Sequence, residues 1–411
     1  MGSHMANENL IQSLKDKGVV IASPSTIQIG VEVDGDRIAP GVRIHPGTRI
    51  CGGSTFIMKG AEIGQEGPVT IEDCFIGPGV QLKGGYFRKS LFLDKANMGL
   101  AAHVRDACIL EEEAGGAHGV GIKQTILMPF VTLGSLINFC DCLMAGGTSR
   151  QDHSEVGSSY IHFNFTPNQD KATPSLIGDV PRGVMLTERP VFLGGQGGLV
   201  GPAHIGFGAV TGAGIVWRGD LGENRLIGGV PAKEKTSMFY PGIYWEIRNR
   251  VIRNIDYIAN LIALRQWYIA VRSLFLHQEM QKGALQCLEM ALDERIERLK
   301  ALAKKMPESI QGHIDLKKGE ASALLCAQKE EFYRSWGKIE DRLGAKRSYA
   351  GNEQERDGFL AHLSPAATGY IATIRALKAE DRQMGTRWLQ GIVDEINTEI
   401  LDILPTFNSG R

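Results

Sequence analysis

The stretch from Gly146 to Gly178 is the densest polar run in the chain and holds the side chains best suited to move a proton. Read as a strand, residues 160–164 put Tyr160, His162 and Asn164 on one face, because successive side chains alternate. An outward imidazole there would stand beside an amide and beside the loop that carries Lys171. Such a group could deprotonate an amine or hydroxyl nucleophile while neighbouring donors hold an anion. The plainer alternative is an outward histidine hydrogen-bonded to a turn. Other chemical signals are thinner. Cys140-Asp-Cys142 lacks the second pair of a zinc site, so both thiols read as core residues. Gly194-Gly-Gln-Gly-Gly198 has the look of a phosphate cradle, but no Lys-Ser/Thr follows, which leaves tight turns as its reading. His103, His118, His153, His162 and His204 show no clustered spacing, and no metal is expected. Glu111-Glu-Glu113 reads as a solvated turn.

A six-residue beat must position these groups. Ile38, Ile44 and Ile50 carry it, and Leu199, Ile205, Thr211 and Trp217 repeat it, with Pro-Gly or small-residue turns between. A short fixed period with glycine turns means a stacked β-solenoid, in which each coil buries its apolar positions against its neighbours. Six residues per face and about 18 per coil describe a three-sided prism, a parallel β-helix of hexapeptide type. The polar run interrupts the beat between Phe165 and Leu176, and a loop thrown out there could reach a neighbouring subunit. The beat is also irregular from Gly84 to Gly121, where loops leaving the prism are expected. The β-helix is assigned to residues 19–235, with a capping helix over 6–18, since solenoid ends need covers. Residues 1–5, Met-Gly-Ser-His-Met, are set aside as a tag remnant.

Composition changes near residue 236, before which lie 39 of the 51 glycines and 12 of the 16 prolines. Residues 236–411 read as an all-α domain. Val251, Ile255, Ile258, Ile262 and Trp267 form an apolar stripe at helical spacing, with Arg248, Arg250, Arg253 and Arg265 expected on a solvated face. Further helices are expected over 278–305 (ending before Pro307), 316–343 and 366–404, the last broken near Gly385. A mobile loop is expected over 344–358. Tyr240, Tyr244, Trp245, Trp267 and Tyr268 suit the seam between the two halves better than an external interface. With 45 basic against 46 acidic residues, no nucleic-acid or anionic-membrane partner is expected. Seven scattered cysteines and no apolar span point to reduced thiols and a cytoplasmic setting.

The first half resembles the acetyltransferase half of the bifunctional glucosamine-1-phosphate acetyltransferase / N-acetylglucosamine-1-phosphate uridyltransferase family. The resemblance rests on Val156-Gly-Ser-Ser159, Asn164-Phe165, Asp170-Lys171 and Ile177-Gly-Asp179, then Val191-Phe-Leu-Gly194, Leu199-Val-Gly-Pro202 and Thr211-Gly-Ala-Gly214. Gly229-Val-Pro-Ala-Lys233 is similar to the exit of hexapeptide acyltransferases in general. The resemblance covers about residues 18–235 and implies a left-handed parallel β-helix and a homotrimer. It also implies a sugar phosphate or nucleotide sugar as substrate and acetyl-CoA or another acyl-CoA as donor. Asn164, Lys171 and Tyr160 would meet substrate, and Gly195, Gly197, Ala213 and Lys233 would line the coenzyme arm between subunits. The family's catalytic histidine, however, falls on Asp141, so the base would be His162 or His153. The uridyltransferase chemistry needs a separate nucleotide-binding domain that these residues do not supply, so a pyrophosphorylase-related name would describe ancestry alone. Three readings follow: an acyltransferase on an amino-sugar phosphate or nucleotide sugar, a degenerate binding or regulatory protein, and a structural assembly module.

Overall fold

The computed structural model describes residues 2–229, 236–317, 322–363 and 369–408, with side chains from Asn7 onward. It opens on α1 (Gly2–Asp16), whose Ile11 and Leu14 close the end of the solenoid core. This cap begins earlier than the expected 6–18, and the segment set aside as a tag supplies its first turn.

From Val20 to Ile227 the chain winds as the left-handed parallel β-helix that the six-residue beat and the resemblance implied. One face is an eleven-stranded parallel sheet. The other two faces merge into a sixteen-stranded sheet, because Gly121–Leu127 and Asn138–Met144 run unbroken round a corner. Ile38, Ile44 and Ile50 each belong to a different face, pairing with or bridging to Ile57, Ile63 and Ile71, and all point into the core. The beat therefore counts faces, and stacking places like on like from coil to coil.

No loop leaves the prism between Gly84 and Gly121. Gly85 pairs with Ala102 and His103 with Gly121, in unbroken register. The irregular beat has a local cause: Lys89, Lys95, Ala101, Ala107 and Glu113 take the corner positions with φ between 43° and 62°. Left-handed backbone at a non-glycine residue costs about 1–2 kcal/mol, so these corners keep the coil's shape while losing its glycine signature. The real excursions come later. A hairpin pairs Gly147–Ser149 with Asp152–His153, a loop spans 164–174, and α2 (Val180–Gly183) caps itself through Asp179, which accepts from Arg182 N at 2.9 Å.

The second half comprises α3 (Arg248–Ala270), α4 (Gln278–Lys304), α5 (Met306–Leu316), α6 (Ala323–Lys346), α7 (Glu353–His362), α8 (Tyr370–Ala376), α9 (Ala379–Ile403) and α10 (Pro405–Asn408). Pro307 does not merely follow a helix; it opens α5, where its missing N–H breaks no bond. The expected mobile loop holds α7, started by Asn352, whose side chain accepts from Glu355 N at 3.1 Å. The final helix breaks at Leu377–Lys378 and runs through Gly385, which is buried against Met185 and Phe359.

The helical half packs on one prism face. Phe75, Leu91, Ile109, Ile126, Leu143 and Leu176 share one apolar core with residues of α3 and α4. The arginines expected on a solvated face are paired instead: Arg250 with Asp170 at 2.9 Å, Arg265 with Glu289 at 2.5 Å, Arg253 with Asp220, and Arg248 with the Phe407 carbonyl at 2.8 Å. Glu111 and Glu112 are likewise buried at the seam. Tyr268 donates to Glu111 at 2.6 Å, and Arg272, fully buried above the Tyr370 ring, pairs with Glu112 at 2.5 Å. Tyr244 and Tyr268 are buried at the seam, bonded to Asp170 and Glu111, whereas Trp267 is buried inside the helical half against Phe359, Tyr370 and Trp388, and Trp245 stays half exposed.

Candidate functional site

Tyr160, His162 and Asn164 do share a face, and it turns inward. The outward positions of that strand are Ile161 and Phe163. Tyr160 is fully buried in the prism core, with its hydroxyl unpartnered. His162 is 1% exposed. Its Nδ1 lies 2.6 Å from the Cys140 carbonyl, which requires a proton on that nitrogen, and its Nε2 accepts from Ser175 Oγ at 2.8 Å. Burial pushes its pKa down to about 4. A neutral imidazole bonded to a serine hydroxyl has the form of a nucleophile–base pair, but both partners are sealed inside the chain.

Asp141 sits at a coil corner with φ 60° and is 4% exposed. Arg295 of α4 donates to its Oδ1 at 2.6 Å, and Asn164 Nδ2 donates to its other oxygen. A second guanidinium nitrogen of Arg295 reaches the Lys171 carbonyl at 3.3 Å. The same loop is stapled at Asp170, which accepts from Tyr244 at 2.8 Å and from Arg250 at 2.9 Å. Arg295 thus links Asp141, which also accepts from Asn164, to the Lys171 backbone, and the helical half covers this corner.

His153 stands apart. Its hairpin projects from a prism corner over a cavity of about 390 Å³ walled by Asp152, His153, Glu155, Glu188, Arg189 and Phe192. Arg150 braces the hairpin by donating to the carbonyls of Glu113 and Phe130 and to Thr132 Oγ1, at 2.9, 3.0 and 2.6 Å. One of its nitrogens lies 3.3 Å from His153 Nε2. Glu155 Oε2 lies 3.8 Å from the same Nε2, placed to steady an imidazolium. Burial raises the carboxyl pKa of Glu188. Glu188 and Thr187 also line a neighbouring cavity of about 570 Å³ that presents Arg182, Arg382 and Arg387. Sequence reasoning missed Glu188, Arg189 and the arginines of α9, because only the fold brings α9 to this corner.

The glycines expected along a coenzyme arm close the stack between coils. A Cβ on Gly195 would lie 2.8 Å from the Ser158 carbonyl, and one on Gly197 would lie 2.7 Å from two carbonyls. Ala213 is exposed near them, and Lys233 lies outside the described residues. No group of three or more metal-ligating side chains occurs among the described residues.

No family model matches the chain. It is 30% identical over 214 residues to the bifunctional protein GlmU of Thermotoga petrophila, which covers 51% of this chain and 42% of that protein. The GlmU of Fervidobacterium nodosum is 28% identical over 222 residues, covering 54% and 44%. The likeness is to GlmU. The chain spans less than half the length of these curated relatives. A solved mutant of perosamine N-acetyltransferase from Caulobacter crescentus, in complex with CoA and GDP-perosamine, is 16% identical over 56% of this chain and 67% of that one, with a TM-score of 0.09.

Proposed function

We propose that the β-helix half is an acyltransferase that moves an acyl group from acetyl-CoA or another acyl-CoA to the amine of an amino-sugar phosphate or nucleotide sugar. The observation that carries this reading is the position of His153: of His153, His162 and Asp141, it alone lines an open cavity and is not sealed in the seam. The similarity to GlmU over the solenoid supports it. In the reaction the substrate amine attacks the thioester carbonyl, His153 Nε2, released from its 3.3 Å contact with Arg150, takes the amine proton, and the thiolate of CoA leaves and takes that proton from the imidazolium. Glu155 stabilises the imidazolium, and Arg189 with the adjoining arginines attracts the substrate phosphate. The prism would assemble as a homotrimer through its two uncovered faces, with the coenzyme arm near Gly195, Gly197, Ala213 and Lys233. A cytoplasmic setting would supply acyl-CoA and keep seven free cysteines reduced. No helix among the described residues is long and apolar enough to cross a membrane.

Thiol release from acetyl-CoA in the presence of glucosamine phosphates and amino nucleotide sugars tests this. His153→Ala should lower kcat/KM by about a hundredfold or more, the usual contribution of a general base. Release that is absent with every amine, or unchanged in His153→Ala, sinks the reading. A second reading, a binding protein without transfer chemistry, is favoured by the Arg295 guanidinium pinned on Asp141. It predicts thermal stabilisation by a nucleotide sugar with no thiol released.

A further inference from the structure

The helical half reaches the His153 hairpin through α8. Arg375, in the last turn of that helix, donates from Nη2 to the carbonyl of Thr148, on the first strand of the hairpin. Its guanidinium carbon also lies 5.2 Å from the centroid of the Phe130 ring, within the roughly 6 Å reach of a cation–π contact. Phe130 occupies a coil corner, with φ 70°. Two contacts therefore join α8 to the hairpin and to a corner of the prism.

The hairpin depends on that same corner. Arg150, at its tip, donates to the carbonyls of Glu113 and Phe130 at 2.9 and 3.0 Å, and lies 3.3 Å from His153 Nε2. Phe130 thus takes Arg150 on its carbonyl and Arg375 on its ring. Thr148 also faces both ways. Its carbonyl accepts from Arg375, and its Oγ1 donates to Oδ2 of Asp152, the residue before His153, at 2.9 Å. The main chain alone would hold this element weakly. Its ladder pairs Gly147 with His153 and Ser149 with Asp152 across a bulge, and an isolated two-stranded hairpin is marginal in water.

The short helix that carries Arg375 is fixed at both ends. At its start the Tyr370 ring packs on the buried Arg272 guanidinium, 3.7 Å from the ring centroid. The Tyr370 hydroxyl accepts from Trp267 Nε1 at 3.1 Å. Arg272 pairs in turn with Glu112, the chain neighbour of the Glu113 that receives Arg150. At the other end Arg382 of α9 donates to the Arg375 carbonyl at 2.6 Å. Arg375 is therefore presented from a held helix, and its planar, always charged fork suits a carbonyl and a ring together.

We infer that Arg375 is a positioning residue for His153, and that the helical half, through α8, sets where the hairpin holds the imidazole over its cavity. Arg375 lines neither that cavity nor its neighbour, so it acts through Thr148 and Phe130. Its consequence for turnover rests on the acyltransferase reading, whereas the pose of the hairpin rests on the contacts of Arg375 alone.

Arg375→Ala and Arg375→Lys in the full-length protein test it through two readouts. Arg375 is exposed, so neither change opens the core. Loss of a charge-assisted hydrogen bond should speed hydrogen exchange across residues 147–154 by about tenfold in Arg375→Ala, with α3 and α4 exchanging as in the parent. Thiol release from acetyl-CoA, with whichever glucosamine phosphate or amino nucleotide sugar the parent accepts, should show kcat lowered by about tenfold or more, because small misplacements of a catalytic group are costly. The KM for acetyl-CoA should stay within about twofold of the parent, as expected when no substrate contact is lost. Arg375→Lys keeps a charged donor near the Thr148 carbonyl and should recover most of both effects. A parent that releases no thiol sinks the acyltransferase reading, and hydrogen exchange then decides the linkage by itself. The inference is overturned if exchange across 147–154 is unchanged in Arg375→Ala, if an active parent and Arg375→Ala share the same kcat, or if Arg375→Lys is as impaired as Arg375→Ala.

Discussion

Arg295 and Asp141 form a buried ion pair between α4 and a coil corner, at 1% and 4% exposure. Removing one partner strands a charge, which costs about 3–5 kcal/mol, whereas replacing both with apolar groups is often close to neutral. Arg295→Met and Asp141→Leu should therefore each lower the urea-unfolding free energy by about 3 kcal/mol or more, and the double variant should recover most of it. Additive losses would mean that the pair is not coupled. His162 gives a pH signature. Its folded pKa of about 4 lies below the ordinary 6.5, so the unfolded chain binds the proton first as pH falls. Its contribution is full above pH 6.5 and fades toward pH 4, by on the order of 3 kcal/mol. His162→Gln should flatten that part of the stability–pH curve in chemical denaturation. Glu111 works in the opposite sense: burial pushes its pKa up to about 7 from 4.5, so its share is full below pH 4.5 and lost as pH rises through 7. Stability should peak on the acid side of neutrality.

At the scale of elements, α4 meets the prism through a glycine. Gly283 lies over Phe75, and a Cβ there would stand 2.3 Å from the Phe75 ring. Alanine is the better helix former by about 1 kcal/mol, yet the overlap costs roughly 1–3 kcal/mol. Gly283→Ala should accordingly lower the urea midpoint; a raised midpoint would show that the interface yields. Elements were also where legibility varied. The coils were readable wherever glycine or proline marked a corner, as at Gly41 and Gly47. They became unreadable where Lys89, Lys95 and Ala101 did the same job at positive φ. The stripe of α3 showed a helix but not its partners, since the pairing of Arg250 with Asp170 joins residues far apart in sequence. For the same reason His162 looked available: alternation tells which residues share a face, and only the assembled coil decides which face is inside.

Across the whole molecule, the helical half grips the prism at successive heights. Glu279 holds Arg37, Arg272 holds Glu112, Arg295 holds Asp141 and Arg253 holds Asp220. Adjacent coils are spaced by about 4.8 Å, so one extra coil between Glu112 and Asp141 would carry Asp141 beyond the reach of a 2.6 Å contact. A duplicate of residues 121–137 inserted after Ile137 should fold poorly or release the helical half, which limited proteolysis would reveal as new cleavage in 236–411. Repeat proteins commonly gain and lose units one at a time, because each unit answers only to its neighbours. In this chain the helices act as a length gauge, and the number of coils can change only if the helical half changes with it.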